Sequence, residues 1–305
     1  MSNEIYDVVI IGGGPAGLTA SVYSSRAELK TMFIEKGAPG GKMVKTSKIE
    51  NWSGDKVVSG VDLSMRMFEH AKSFNATYKY GDVKEIISKG EFEKEIILAT
   101  DEVIKTKSVV IASGTIERIP EDVEGIHKYE NRGVSYCAIC DGPVYKGQDT
   151  AIIGGGNSAI EEGAYLASVA KKVYIFVRED KMIAEQQLQE DALKKKNIEI
   201  IFNSQVKSIS GEGKLDKIIV DVNGEEKEFA VKALFPYIGL MPVTSFVSKL
   251  GITNKQGYIE TNELMETKVK NIFAVGDVRV KPIRQIATAV ADGAIAGKTL
   301  ANILG

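Results

Sequence analysis

Two glycine-rich turns of one design, about 140 residues apart, restrict this chain more than any other feature. The first follows Tyr6–Ile11, a run apolar apart from Asp7 and of the kind carried by a strand buried on both faces. Gly12-Gly13-Gly14-Pro15-Ala16-Gly17 comes next, then a helical pattern over Leu18–Glu28 and a second strand, Lys30–Ile34, ending at Glu35. The same order returns as strand Thr150–Ile153, turn Gly154-Gly155-Gly156-Asn157-Ser158-Ala159, helix Ile160–Ala170 and strand Lys172–Val177. In this setting glycines let the backbone approach a pyrophosphate, and the N–H groups at the helix start face it. One such unit takes about 30 residues. Two of them so far apart predict an α/β fold of two Rossmann-like, three-layer dinucleotide-binding domains. Further strand-like pieces at Glu95–Ala99, Ser108–Ala112, Lys217–Val222 and Ala233–Tyr237 predict more sheet, with pairing left open.

The end of the second strand distinguishes the two turns. Glu35 stands 21 residues after Gly14, where a carboxylate accepts hydrogen bonds from a ribose hydroxyl. In the second unit the strand runs into Arg178-Glu179-Asp180. A carboxylate there suits a free 2′-hydroxyl and repels a 2′-phosphate, whereas Arg178 would attract one. A turn that binds no nucleotide is the competing reading of Gly154–Ala159.

The chain has two cysteines, Cys137 and Cys140, in a C-x-x-C spacing followed by Asp141. Such a pair closes a small reducible disulfide, and in a reducing compartment it is catalytic or metal-binding more often than structural. A tetrahedral zinc site needs four ligands, and two cysteines with the distant His70 and His127 do not supply them, so no metal is expected. With 39 basic and 41 acidic residues the chain offers no electrostatic attraction to nucleic acid or an anionic membrane. No apolar run reaches the length of a membrane span, and no signal peptide fits before the first strand, so a cytoplasmic protein is expected. A dithiol beside two nucleotide turns reads as a redox relay.

These motifs, in this order, resemble the low-molecular-weight thioredoxin reductases over most of the chain. Gly12–Gly17 is similar to that family's FAD pyrophosphate loop. Pro39-Gly40-Gly41-Lys42-Met43, Thr46 and Glu50-Asn51-Trp52 are similar to its isoalloxazine-side segment, and Ile111-Ala112-Ser113-Gly114 to its A-T-G stretch, with Ser113 in place of Thr. Cys137-Ala138-Ile139-Cys140-Asp141-Gly142 matches its redox motif C-A-x-C-D-G. Ile272-Phe273-Ala274-Val275-Gly276-Asp277 matches the strand whose Asp binds the ribitol, and Arg284-Gln285-Ile286-Ala287 the segment pointing at the flavin. The resemblance implies FAD contacts from Gly12, Gly14, Pro15, Ala16, Gly17, Glu35, Lys36, Gly40, Gly41, Lys42, Thr46, Asn51, Val83, Ala112, Ser113, Gly114, Gly276, Asp277, Arg284, Gln285 and Ile286. It implies NADPH or NADH contacts from Gly154, Gly156, Asn157, Ser158, Ala159 and Arg178. It implies a split FAD domain, residues 1–116 and 244–305, with a pyridine-nucleotide domain, 117–243, inserted and carrying the cysteines. A homodimer acting on thioredoxin is implied as well.

By the same resemblance Cys140 is the flavin-side sulfur and Cys137 attacks the thioredoxin disulfide. From the residues themselves, Cys137 heads a short segment whose helix start would stabilise a thiolate, and Cys140 would resolve the mixed disulfide. Asp141 is the acid/base expected to protonate the departing thiolate, or a helix cap, two compatible roles. Tyr136 reads as packing.

Two departures bear on the donor. The family's 2′-phosphate signature is H-R-R-x-x-x-R, and the aligned stretch is Val177-Arg178-Glu179-Asp180-Lys181-Met182-Ile183. Lys42 stands where many relatives have Gln, and so near the flavin it would raise the flavin potential. One branch of the family takes electrons from reduced ferredoxin and lacks the phosphate-binding arginines, although the intact Gly154-x-Gly156-x-x-Ala159 speaks against it. A flavin-binding redox sensor is the non-enzymatic alternative, and the intact Cys137, Cys140 and Asp141 speak against that.

Overall fold

The computed structural model describes residues 4–46 and 49–305. The chain divides into two compact units, 1–116 with 241–305 and 117–240. It re-enters the first unit at Met241, three residues ahead of the return expected from the sequence.

In chain order the first unit begins with β1 (Ile5–Ile11), α1 (Pro15–Arg26) and β2 (Thr31–Glu35). It continues with α2 (Gly60–Ser73), β3 (Thr77–Tyr80), β4 (Val83–Gly90), β5 (Glu93–Leu98) and β6 (Val103–Ile111). A crossing strand, β7 (Thr115–Glu117), leads into the second unit. That unit holds α3 (Ala138–Asp141), β8 (Asp149–Ile153), α4 (Asn157–Leu166), β9 (Lys172–Phe176), α5 (Gln186–Leu193) and β10 (Ile198–Ile201). It closes with β11 (Ser204–Ser210), β12 (Lys217–Val222), β13 (Glu225–Ala230) and β14 (Ala233–Pro236). The return strand β15 (Leu240–Pro242) pairs with β7, and the first unit ends with β16 (Ile272–Ala274) and α6 (Ile286–Leu304).

The first unit is built on a seven-stranded sheet ordered β3-β2-β1-β6-β5-β4. Strands β1, β2, β3, β6 and β16 run parallel, while β4 and β5 are antiparallel additions. Strand β6 is shared, its first half bonded to β5 and its second half, Val109–Ile111, to β16. Alternate residues of β1 face opposite ways: Val8 and Ile10 join a cluster with Leu18 of α1 and Leu300 of α6, and Val9 and Ile11 join one with Ile96 and Val247. Burial on both faces is why β1 is apolar from Val8 to Ile11.

The second unit has a parallel sheet, β10-β9-β8-β14, and an antiparallel meander, β11-β12-β13. The alternation recurs, with Ile152 and Ile175 facing the helices and Ala151 and Phe176 facing the meander side. Three expected boundaries move. Helix α1 starts at Pro15 rather than Leu18, because proline at the first helical position lacks only an N–H that the helix would leave unpaired. Helix α4 runs from Asn157 to Leu166, ahead of the expected Ile160–Ala170, and the chain then turns at Ala167–Ala170 to reach β9. The piece expected at Glu95–Ala99 is β5, paired with both β4 and β6.

Candidate active site and nucleotide turns

Cys137 and Cys140 are joined in a disulfide with their Cα atoms 5.3 Å apart. Cys137 caps α3, a helix of four residues. Three backbone amides find side-chain acceptors here. The N–H of Cys137 donates to Ser135 Oγ (3.2 Å), that of Ala138 to Tyr237 Oη (3.0 Å), and that of Cys140 to Cys137 Sγ (3.2 Å). Helix starts leave such donors unpaired, and here two are taken locally, by Ser135 and Cys137, and one by the distant Tyr237. Tyr165 Oη donates to Ile139 O (3.5 Å). The helix is too short for a sizeable dipole, so the thiolate stabilisation expected at Cys137 comes from the Cys140 N–H instead.

Asp141 stands at the N-cap position of the short 3-10 helix Gly142–Tyr145, but its side chain makes no capping bond there. Its Oδ2 accepts the Ser135 hydroxyl at 2.5 Å, and Ser135 in turn accepts the Cys137 N–H. Asp141 and the Cys137 amide therefore share one serine. Burial, with the nearby Glu162 charge, pushes the Tyr237 hydroxyl well above the ordinary tyrosine range. Glu162 is pushed up to about 7 by burial and then by Glu161. Tyr136 packs against the β11–β13 side of the core, and burial pushes its hydroxyl to about 12. Tyr237 and Glu162 carry no spacing signal toward the cysteines, whereas Ser135 lies two residues before Cys137. The three come from separate segments.

In the first unit the turn between β1 and α1 opens at Gly12, where φ is +110° and an added Cβ would lie 2.3 Å from Ala112 O. Only glycine serves at that position. Gly14 caps α1 with no side-chain bond, and the first turn carries no acid, so the helix N–H groups remain open to an anion. Glu35 clasps the turn, Oε2 accepting the Gly13 N–H and Oε1 the Gly37 N–H, both at 2.7 Å. Gly40 donates to Gly13 O at 2.7 Å, which lays the Gly40-Gly41 segment against the turn. Lys36 pairs with Asp82, and Gly81 N–H bonds Glu35 O, so the start of β4 at Val83 follows directly on this edge. Thr46 O accepts the Gly60 N–H, fixing the loop end.

On the other side Asn51 Nδ2 donates to Gln285 Oε1 at 3.1 Å, joining two expected flavin-side residues 234 positions apart. Ile286 packs on the small cluster of Met43, Ile49 and Leu63. Ser113 Oγ donates to Val243 O at 2.7 Å, and Gly114 has open space beside it. A Cβ on Gly276 would lie 2.9 Å from the Ala16 Cβ, so Asp277 sits beside the turn. Its Oδ1 is enclosed with no partner among the described residues. Burial raises the Asp277 pKa, and the charges of Lys281, Lys42 and Arg284 act against that rise.

A buried ion cluster unforeseen in the sequence holds this corner. Asp292 accepts the Gly276 N–H (2.9 Å), Lys281 Nζ (2.7 Å) and an Arg279 nitrogen (3.2 Å). Arg284 lies over the Tyr258 ring and donates to Asp277 O. An uncapped helix start, a glycine turn with no room for side chains and an enclosed unpaired carboxylate oxygen together suit a flavin dinucleotide. The pyrophosphate would meet Gly12–Gly17, the ribose Glu35 and the ribitol Asp277.

The second turn repeats the geometry. Gly154 has φ +137°, and a Cβ there would lie 2.4 Å from Tyr237 O. Gly156 caps α4 with no side-chain bond and open space beside it, and the buried Ala159 closes the turn. The surroundings differ. Asn157 is tied to Glu185 through two bonds of 2.8 Å, which leaves its backbone rather than its amide for a ligand. Ser158 is exposed. Gly155 O accepts the N–H groups of Ile183 and Ala184, folding the 178–185 stretch over the turn. Within that stretch Val177 is fully buried, Ile183 is 73% exposed, and Arg178 lies 3.8 Å from Asp122.

The family described as pyridine nucleotide-disulphide oxidoreductase matches residues 6–293. A thioredoxin reductase from Mycoplasmopsis pulmonis is 51% identical over 98% of both chains. One from Bacillus subtilis is 48% identical over 98% of this chain and 95% of its own. The crystal structure of Lactococcus lactis thioredoxin reductase superposes with a TM-score of 0.95 at 44% identity, covering 97% of this chain and 98% of the other. The chain belongs to the thioredoxin reductase family. It is a flavoprotein disulfide oxidoreductase, and family membership implies FAD and a pyridine nucleotide. Within that family frame the structure gathers Asn51, Asp277, Arg284, Gln285 and Ile286 with the first turn in one unit, and Asp141 with the disulfide in the other. No helix among the described residues is long and apolar enough to cross a membrane.

Proposed function

We propose that this enzyme reduces the disulfide of oxidised thioredoxin, with electrons drawn from a pyridine nucleotide through FAD and the Cys137–Cys140 disulfide. The observation that carries the reading is the redox helix: a disulfide with three amides held by named acceptors, and Asp141 bonded into the same network. Thioredoxin reductases 46–51% identical over nearly the whole chain support thioredoxin as substrate.

Bound flavin supplies the two electrons that open the disulfide. The chain's residues do the rest. Cys137, its Sγ held by the Cys140 N–H, attacks the thioredoxin disulfide as a thiolate, forming a mixed disulfide and releasing one thioredoxin sulfur. Asp141 takes the proton of the Cys140 thiol and passes it to the departing sulfur. Cys140 then attacks Cys137, which restores the Cys137–Cys140 bond and frees the second thioredoxin thiol. Ser135 holds Asp141 and the Cys137 amide in one orientation throughout.

As donor, NADPH is not strongly preferred over NADH. A 2′-phosphate is usually held by several cations in bidentate geometry. Of the expected set only Arg178 is present, it faces Asp122, and Glu179 adds repulsion. The enzyme would act as a cytoplasmic homodimer, a reading that rests on the family resemblance.

Turnover of oxidised thioredoxin with NADH, NADPH and reduced ferredoxin in turn tests the whole reading. Activity with either nucleotide, lost in Cys137→Ser and Cys140→Ser proteins that stay yellow, is expected. Turnover with ferredoxin alone would reinstate the ferredoxin-linked alternative, and normal turnover in either cysteine variant would make the disulfide structural.

A further inference from the structure

Tyr237 touches both the second nucleotide turn and the redox helix. It follows directly on β14, and its N–H donates to Ile153 O at 2.7 Å, beside the end of β8 where the turn begins. Its carbonyl walls that turn, since a Cβ on Gly154 would lie 2.4 Å from Tyr237 O. Its side chain meets the redox helix. The hydroxyl accepts the Ala138 N–H at 3.0 Å, the amide that follows Cys137. The ring packs in the apolar cluster that holds both Ala138 and Ala159 of the turn. Burial, then the acids Glu162, Glu117 and Asp141, keep the phenol protonated, so its oxygen accepts the amide as a neutral group. Helix α4 forms the rest of the seat. It starts at the turn, and near its far end a Cβ on Gly142 would lie 2.9 Å from Leu166 Cδ2 and 3.4 Å from Tyr165 Cε1. The residue after Asp141 thus lies flat against α4. Tyr165 Oη reaches Ile139 O only at 3.5 Å, so the bond from Ala138 to Tyr237 is the firmer tie.

We infer that Tyr237 is a positioning residue for the thiol–disulfide step, its hydroxyl fixing the start of the redox helix so that the Cys140 N–H stays aimed at Cys137 Sγ. Ala138 is the first residue of α3, and its N–H is one of the donors that a helix start leaves without an intrahelical partner. Fixed at this amide, the turn holds the Cys140 N–H 3.2 Å from Cys137 Sγ. A hydrogen bond to a charged group favours the charged form, so this donor stabilises the Cys137 thiolate once the disulfide is open. With the Ala138 amide released, the turn loses its aim and the thiolate its donor. The side chain of Tyr237 serves the cysteines while its backbone walls the nucleotide turn, so substitution of the side chain separates the two tasks. The inference rests on Cys137 as the attacking thiolate and deepens that assignment by naming what holds the donor in place.

The test needs neither thioredoxin nor nucleotide, so its failure differs from failure of the substrate or donor assignment. FAD-loaded wild type and Tyr237→Phe are reduced with dithiothreitol, freed of reductant without air, and alkylated with iodoacetamide across a range of pH. Peptide mapping then follows the label on Cys137. Phenylalanine keeps the ring and the backbone and removes only the acceptor. In Tyr237→Phe the Cys137 inflection should rise by about half to one pH unit, which slows labelling at neutral pH about threefold to tenfold. The rate on the alkaline plateau, where every Cys137 is a thiolate, should not change. An unchanged inflection overturns the inference. Faster labelling at every pH overturns it too, because that is what mere loosening of the helix would give. Hydrogen exchange on the wild type adds an arm that needs no variant. In reduced, FAD-loaded enzyme the Ala138 amide should stay protected, and exchange at the rate of an unbonded amide overturns the inference.

Discussion

The two nucleotide turns share a backbone and differ in what surrounds it. Gly12 and Gly154 both adopt positive φ, and each presses against the carbonyl that ends a neighbouring strand, Ala112 in one unit and Tyr237 in the other. Both following helices start with a bare glycine cap. Around the first turn, side chains form a closed frame: Glu35 on two amides, and Asp292 with Lys281 and Arg279 holding Gly276. Around the second, one side-chain pair, Asn157 with Glu185, joins backbone bonds from Ile183 and Ala184 to Gly155 O, and no buried ion cluster is present among the described residues. Eight residues past the first glycine, α1 has the buried Ala20 and α4 has Glu162. The shared geometry answers to a pyrophosphate, which is common to both ligands. The surroundings also differ in what the helices meet: α1 packs with α6, and α4 reaches the redox helix through Tyr165 on Ile139 O.

The largest expected effect comes from closing either turn. Gly12→Ala should give protein that fails to retain FAD, with strain and overlap costing about 3 kcal/mol or more. Gly154→Ala should stay yellow and accept electrons from dithionite but not from NADH or NADPH. A yellow, active Gly12→Ala, or a Gly154→Ala reduced normally by nucleotide, would break the equivalence of the two turns.

Asp292→Asn tests the side-chain frame that only the first turn has. It leaves the buried Lys281 uncompensated, with its side chain 6% exposed, and should lower stability by about 3 kcal/mol. FAD affinity, followed by flavin fluorescence on dilution, should fall with it, while nucleotide binding should not change. Unaltered FAD retention would mean that Gly276 is held by backbone after all.

Glu162 against Ala20 sharpens the contrast between the helices. Its folded pKa, about 7, is raised above the usual 4.5. The folded state therefore holds the proton longer than the unfolded one, so this stabilisation is complete below about pH 4.5 and is lost as pH rises through 7. Thermal melts should show Glu162→Gln gaining on the wild type toward alkaline pH, by about 2 kcal/mol. A constant difference across pH would show that Glu162 ionises normally.

The smallest effect concerns the donor. Glu179→Arg with Ile183→Arg should shift the ratio of kcat/KM for NADPH over NADH upward by on the order of tenfold, about 1.4 kcal/mol. A wild type that already prefers NADPH strongly would show the 178–183 stretch binding the phosphate by another route.

How far the sequence carried depends on whether the cause was local. The strand Ile5–Ile11, the turn Gly12–Gly17 and the pairing of Cys137 with Cys140 were legible, because each depends on neighbours in sequence. Asn51 and Gln285 were named through resemblance, but their bond was not readable from either segment. Ser135, Tyr237 and Glu162 were missed around the disulfide. Tyr237 could have been found by analogy, since it ends the strand beside the second turn as Ala112 does beside the first.

By itself, then, the amino-acid order determined two β-turn-α units, a reducible cysteine pair and the absence of the phosphate-binding basic cluster. Periodicity, glycine and short spacings act within a few residues and need no fold to take effect. Tertiary structure alone decided who satisfies each buried polar group. Ala138 at the redox helix and Gly276 found their acceptors, Tyr237 and Asp292, outside their own segments. A desolvated donor must be paired wherever the partner comes from, and only the folded arrangement settles which side chain arrives.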